Sequence, residues 1–322
     1  MLKTAARLLG DPGSVRRPIA FGILAFVVAG LIAPSFLTLR NVNALLQGSS
    51  FLIILTVGEA FVILTGMIDL GVQSVLASAG MLGASLAVFV GLPAPESVLV
   101  TILYGAAAGV FVGLLVTKGR IPSFIATIGT YWGLRGVALL FNGGNYINPQ
   151  SVTPARPFGF EGLAGTTLGL SNLIWISVAI VVIGQLVQSL TPAGNWVASV
   201  GSNEAAARVV GLNTGRIKVA VFVVSGILAA LAGLMITAWQ DSIYPLTGDG
   251  YSLQAIAAVI LGGIPFTGGK GSIVGAAIGA LIIGLISDLI VLLGLPSLYE
   301  YIFVAAILVI AGLQTRGKGF VK

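Results

Sequence analysis

The sequence contains no cysteine and no histidine in 322 residues. Without cysteine there is no disulfide framework and no thiolate chemistry. Without histidine the commonest general base and the commonest metal ligand are both missing. Neither a serine–histidine nor a cysteine–histidine nucleophile can be assembled, and carboxylates do not recur at hydrolytic spacing. The chain therefore reads as a non-enzyme that binds neither metal nor cofactor. Charge is also scarce: 8% of residues are charged and 57% are hydrophobic. A soluble protein of this length needs a far more charged surface, so the composition describes a polytopic membrane protein. The period-two alternation of an outer-membrane barrel is lacking. The apolar runs are long and continuous, which predicts an all-α fold, and 45 glycines suit close helix packing in lipid.

The runs are ten: 19–33, then 43–66, 71–91, 97–117, 121–141, 172–190, 217–239, 252–264, 272–294 and 298–313. Most approach the ~20 residues that cross ~30 Å of hydrocarbon. The run 252–264 is short and ends in Gly262-Gly263-Ile264-Pro265, the pattern of a helix that spans only in part. Residues 1–17 carry Lys3, Arg7, Arg16 and Arg17. They resemble the start of a signal peptide, but no A-x-A site follows, and the first run reads as an uncleaved helix behind a basic tail. Alternating the segments from a cytoplasmic amino terminus leaves thirteen of the sixteen basic residues inside, as the positive-inside rule requires. Both termini are then cytoplasmic. The net charge of +6 follows from topology, and no nucleic-acid partner is needed to explain it. Glu96, Glu161, Asp241, Asp249 and Glu300 fall outside, as does a long Pro- and Gly-rich loop, 142–171. The whole chain, 1–322, reads as a single transmembrane domain.

Three polar features interrupt the apolar pattern. Gly201 to Arg216, within the cytoplasmic loop 191–216, predicts a short helix through Ala205, Ala206 and Ala207, closed by Gly211. It is too short to cross a bilayer and is either a connector or a handle for a partner. Thr267-Gly268-Gly269-Lys270-Gly271-Ser272 has the look of a phosphate loop but fails its pattern. Ile264 stands where a glycine is required, and Gly271 where Ser or Thr should follow the lysine. A tight cytoplasmic turn is the better reading, which leaves the chain without an ATPase of its own. Glu59 and Arg135 lie deep in spans, and Asp288 in another; a centred charge costs about 2.5–3.5 kcal/mol on insertion scales. Such groups line a polar path or join internal ion pairs, and for Glu59 and Arg135 both readings stay open, whereas Asp69 and Asp288 lean structural. Gly105, Gly109 and Gly113, and Gly271, Gly275 and Gly279, form stripes that favour packing inside the chain over a dimer contact.

Several stretches resemble one family when taken together: Leu64 to Val75, Lys118 to Thr130 with Arg135-Gly136, the stretch from Gly201, Ser225 to Gly233, and Gly248-Asp249-Gly250-Tyr251 running to Gly263. They resemble the permease subunits of ribose-type sugar ABC importers, in the superfamily that holds branched-chain amino-acid permeases. The resemblance covers residues from about 40 to the carboxyl end. It implies a ten-helix permease in a bacterial cytoplasmic membrane, paired with a second copy or a paralogue. It further implies an external sugar-binding protein and two cytoplasmic ATP-binding subunits that hold the ATP and magnesium. The coupling helix gripped by those subunits would match Asn203 to Gly211, with Asn203, Glu204, Ala205, Ala206, Arg208 and Gly211 as its contact residues. Glu59, Thr65, Asp69 and Arg135 are the expected substrate path, and Arg156, Asp241 and Asp249 the expected docking residues for the binding protein. Met67 and Gln73 stand where the family often has glycine. Phe266 is bulky for its turn, and Glu59 is a charge where a neutral residue is usual. A nucleoside, a sugar-derived signal or a branched-chain amino acid is the alternative cargo, and an ion-coupled transporter the alternative mechanism.

Overall fold

The computed structural model describes residues 12–315, and it is mostly helical. Lys3, Arg7, Arg316, Lys318 and Lys322, on which the cytoplasmic placement of both termini leans, lie outside the described residues. Each of the ten apolar runs is a helix: α1 (Pro12–Ile32), α2 (Leu39–Leu64), α3 (Val72–Ser85), α4 (Ala94–Thr117), α5 (Ser123–Leu140), α6 (Asn172–Leu190), then α9 (Thr214–Gln240), α10 (Tyr251–Leu261), α11 (Ile273–Leu292) and α12 (Leu298–Thr315). Between α6 and α9 lie two polar helices, α7 (Pro192–Ser202) and α8 (Glu204–Val209). Among the described residues, seven helices are long and apolar enough to cross a membrane. α5, with Thr127, Thr130 and Arg135 on it, is not one of these, and α10 and α12 are shorter apolar helices. α10 has eleven residues, about 16 Å at ~1.5 Å per residue, which is half of a hydrocarbon core. Arg16 and Arg17 fall within the first turns of α1 rather than ahead of it.

The chain divides into two compact units. The first comprises Met1–Met67, Val178–Thr214 and Leu253–Lys322. Its centre is α2, which Thr38 caps by accepting from Asn41 N–H at 3.3 Å. Every residue of α2 from Ser49 to Leu64 is buried. α11 and α7 pack on it. Small residues set the spacing: a Cβ on Gly284 of α11 would stand 2.1 Å from Ser49 Oγ, and one on Gly279 2.0 Å from Ala258 O of α10. Asp288 lies against α2, where Asn41 Nδ2 donates to its Oδ2 at 2.7 Å.

The second unit comprises Ile68–Ser177 and Gly215–Ser252. Its centre is α3, with α4 and α5 packed on it. The glycine stripe of α4 meets α9: a Cβ on Gly105 would fall 2.3 Å from Gly226 O, one on Gly109 2.3 Å from Phe222 O, and one on Gly113 2.8 Å from Val219 Cα. The stripe is therefore used within the chain, backbone against backbone. α3 runs on through a π turn, Leu86–Val90, to Gly91 in the left-handed region (φ 73°). The long loop that follows α5 is irregular, with 3-10 turns at Pro149–Ser151 and Glu161–Ala164 and a two-residue hairpin pairing β1 (Thr166–Thr167) with β2 (Leu170–Ser171). Ile147 and Ile243 form an isolated antiparallel bridge, with N–H to O distances of 3.0 and 2.9 Å.

Candidate functional site

The polar stretch after α7 folds as a small handle. Asn203 ends α7 and caps α8, its Oδ1 accepting from Ala206 N–H at 3.0 Å. Eight residues after Asn203 the chain turns at Gly211, whose φ of 88° is open to glycine at little cost. Arg208 faces two ways. Its Nη2 donates to Glu204 Oε1 at 2.7 Å and its Nε to Thr214 Oγ1 at 3.0 Å. An exposed i,i+4 pair of this kind contributes only about 0.3–0.5 kcal/mol, so it orients side chains more than it holds the helix. Ala207 is buried and anchors the handle, whereas Ala205 and Ala206 face outward. Val209 and Val210 are 87% and 75% exposed. The outer face of this polar loop thus carries small and apolar side chains.

The second site is a buried polar cluster in the second unit. Arg135, on α5, is 3% exposed. Its Nη1 donates to the backbone oxygen of Pro245 and its Nη2 reaches Asp249 Oδ1 at 3.4 Å. The Tyr131 ring lies 5.5 Å from the guanidinium carbon, and Nε has no hydrogen-bond partner among the described residues. Asp249 is shared: Gln73 Nε2 donates to the same Oδ1 at 3.1 Å. Gln73 Oε1 in turn accepts from Ser252 N–H at 3.0 Å, and Ser252 Oγ accepts from Gln73 N–H at 3.2 Å and donates to Leu70 O at 3.0 Å. The buried cation is thus only partly offset, because the Asp249 side chain is 56% exposed.

The structure brings Arg135, expected on the path, together with Asp249, expected at the docking surface. Asp69 belongs to the same unit but has its own partners: Gly71 N–H at 2.9 Å and Ser225 Oγ–H at 3.2 Å. Burial pushes its carboxyl up to about 6 against those two hydrogen bonds. Thr65 and Glu59 lie in the first unit. Thr65 Oγ1 donates to Val62 O at 2.7 Å, and Glu59 is fully buried within α2. Arg156 is spent on the end of the π turn, its Nη1 donating to Val88 O at 3.3 Å and to Phe89 O at 3.5 Å. It lines a cavity of about 470 Å³ with Gly91, Pro93 and Phe158. Asp241 is exposed with a φ of 49°. Gln73 was noted only as a departure from the family's pattern, and Ser252 was not singled out; the one further signal was an amide in an otherwise apolar run. Among the described residues no group of three His, Cys, Asp or Glu side chains is placed to hold a metal ion.

The family described as the permease component of the branched-chain amino acid transport system matches residues 41–312. The chain is similar to the ribose import permease protein RbsC of Escherichia coli (strain K12), 39% identical over 300 residues that cover 93% of this chain and 92% of the relative. It is similar to RbsC of Bacillus subtilis (strain 168), 36% identical over 91% of this chain and 89% of that one. It is also similar to the L-arabinose ABC transporter permease protein AraH of Azospirillum brasilense, 34% identical over 90% and 84%. Among solved structures it resembles an inward-facing conformation of a putative metal-chelate type ABC transporter, with a TM-score of 0.53 at 15% identity over 91% of this chain and 97% of that one. That last likeness concerns the fold alone.

Proposed function

Since the chain belongs to the permease-component family of branched-chain amino acid transport systems, we propose that it works as the membrane-spanning half of an ATP-driven importer, in a division of labour set by its own residues. It is the permease subunit of a sugar importer. The observation that carries this is the 39% identity to a ribose import permease over 93% of the chain. Residues 1–322 act as one permease domain of ten membrane helices, both termini cytoplasmic, in the cytoplasmic membrane of a bacterium. Two ATP-binding subunits supply the engine and hold ATP and magnesium. A sugar-binding protein delivers cargo from outside, and a second permease copy or paralogue completes the path.

In this scheme α8 is the coupling helix. Asn203 and Glu204 fix its start, and Arg208 orients its outer face. Ala205 and Ala206 leave room for a groove on the ATPase, and Gly211 returns the chain to the membrane. When ATP closes the two ATPases, the paired helices move and the path opens alternately to each side. Glu59, Thr65, Asp69 and Arg135 serve the path. The pairing of Arg135 with Asp249 supports a role for Asp249 beside the path as well as at the docking surface with Arg156 and Asp241.

The test is uptake in cells that express the chain with a matching ATPase and binding protein, using labelled ribose, arabinose, a nucleoside and leucine. Uptake of a pentose that requires all three components is expected. Uptake of leucine or nucleoside without any sugar would move the cargo to the alternative class.

A further inference from the structure

The Gly268-Gly269 turn, which fails as a phosphate loop, is packed directly beneath the start of the handle. Its contacts with the ends of α2 and α7 lie within the first unit. Gly269 N–H donates to Leu64 O, the last residue of α2, at 2.9 Å, and Ser202 Oγ donates to Gly269 O at 3.3 Å. A Cβ on Gly201 would fall 1.9 Å from Leu64 O and 2.6 Å from Gly269 N. One on Gly268 would fall 2.6 Å from Gly66 N, and one on Gly269 2.4 Å from Ser202 Oγ. Three backbone segments therefore meet closely, the end of α2, the end of α7 and the turn, with the short Ser202 side chain bridging the last two. Gly268 and Gly269 also have φ of 71° and 78°, so glycine is favoured there twice over, by conformation and by space. The far end of the turn is tied down as well. Gln188 of α6 donates to Gly271 O at 2.9 Å and accepts from Ile273 N–H at 2.9 Å, and Gln185 accepts from Ser272 Oγ–H at 2.9 Å.

Contacts between backbones carry displacement without the slack of rotating side chains, because packed interiors deform little. We propose that Gly201, Gly268 and Gly269 form a rigid bearing that makes the handle and the carboxyl end of α2 move as one piece. A push on α8 then reaches Thr65 and Gly66 directly. Gly201, Gly268 and Gly269 are positioning residues for transport and touch neither cargo nor nucleotide. The inference rests on the importer reading above, with α8 as the helix that the ATPase grips.

The experiment uses the full complex in proteoliposomes and reads sugar moved per ATP hydrolysed. Gly201→Ala is expected to lower that ratio at least tenfold while ATP hydrolysis continues. Gly48→Ala, where an added Cβ meets nothing within 4 Å, is expected to leave it unchanged. An unchanged ratio in Gly201→Ala overturns the bearing. If that variant does not assemble, hydrogen exchange in the wild-type complex decides. The amides of Ile264, Gly268, Gly269 and Asn203, each hydrogen-bonded to a backbone oxygen, should stay protected with and without a trapped nucleotide, and loss of protection in either state overturns the proposal. A wild-type complex that shows no sugar-stimulated hydrolysis would refute the importer reading itself, a result distinct from both.

Discussion

At the scale of residues, the buried polar groups are costly enough to demand a reason. Arg135 is desolvated, bonded to a backbone oxygen and to one half-exposed carboxylate. Removing the guanidinium should alter function more than folding. Arg135→Gln is predicted to reduce sugar uptake at least tenfold while its level in the membrane stays within about twofold of the parent. Equal loss of both would instead mark the Arg135–Asp249 pair as a structural tie. A double-mutant cycle with Asp249→Asn should give a coupling of about 1 kcal/mol, modest because Asp249 is open to water. The sequence exposed Arg135 readily, since a lone charge in an apolar run stands out. It hid the pairing of Gln73 with Ser252, which lie 179 positions apart and meet only after the chain has folded. Asp249 was legible as an acidic residue near a turn, but its guanidinium partner was not, because nothing local records a contact made 114 positions away.

At the scale of elements, helices were the most readable feature, because an apolar run of about twenty residues has few alternatives in lipid. The glycine stripe on α4 was correctly expected to pack within the chain, although its partner on α9 was not foreseen. Overpacking such a contact costs about 1–3 kcal/mol. Gly109→Val should therefore lower the melting temperature in detergent by several degrees. Gly129→Ala, where an added Cβ meets nothing within 4 Å, should leave it unchanged. Equal melting temperatures in the two would contradict close packing of α4 on α9. The handle yields a functional prediction. Glu204→Lys breaks the pair with Arg208 and reverses the charge at the start of α8, where a helix favours an anion. Gly211→Trp forces a bulky residue into a φ of 88°. Each is expected to abolish uptake while the chain still inserts in the membrane, as cell fractionation would report. The turn at 264–272 was legible only by exclusion. The mismatch to the phosphate-loop pattern favoured a tight turn over a nucleotide site, but the use of its glycines lay in segments remote in sequence.

At the scale of the whole molecule, large apolar side chains such as Ile23, Leu24, Leu31, Leu103 and Ile183 are exposed. A surface of that kind is stable only under lipid or protein, which agrees with a multi-pass membrane protein. Thr267 to Ser272 does not match the phosphate-loop pattern, and the importer reading assigns the energy supply to a partner. The most direct measurement is accumulation of labelled ribose by proteoliposomes containing the purified permease, its ATPase and its binding protein. The account predicts accumulation that needs ATP on the ATPase side, needs the binding protein on the other, and is lost in Glu204→Lys. Ribose accumulation driven by a sodium or proton gradient without ATP, or retained in full by Glu204→Lys, would contradict it.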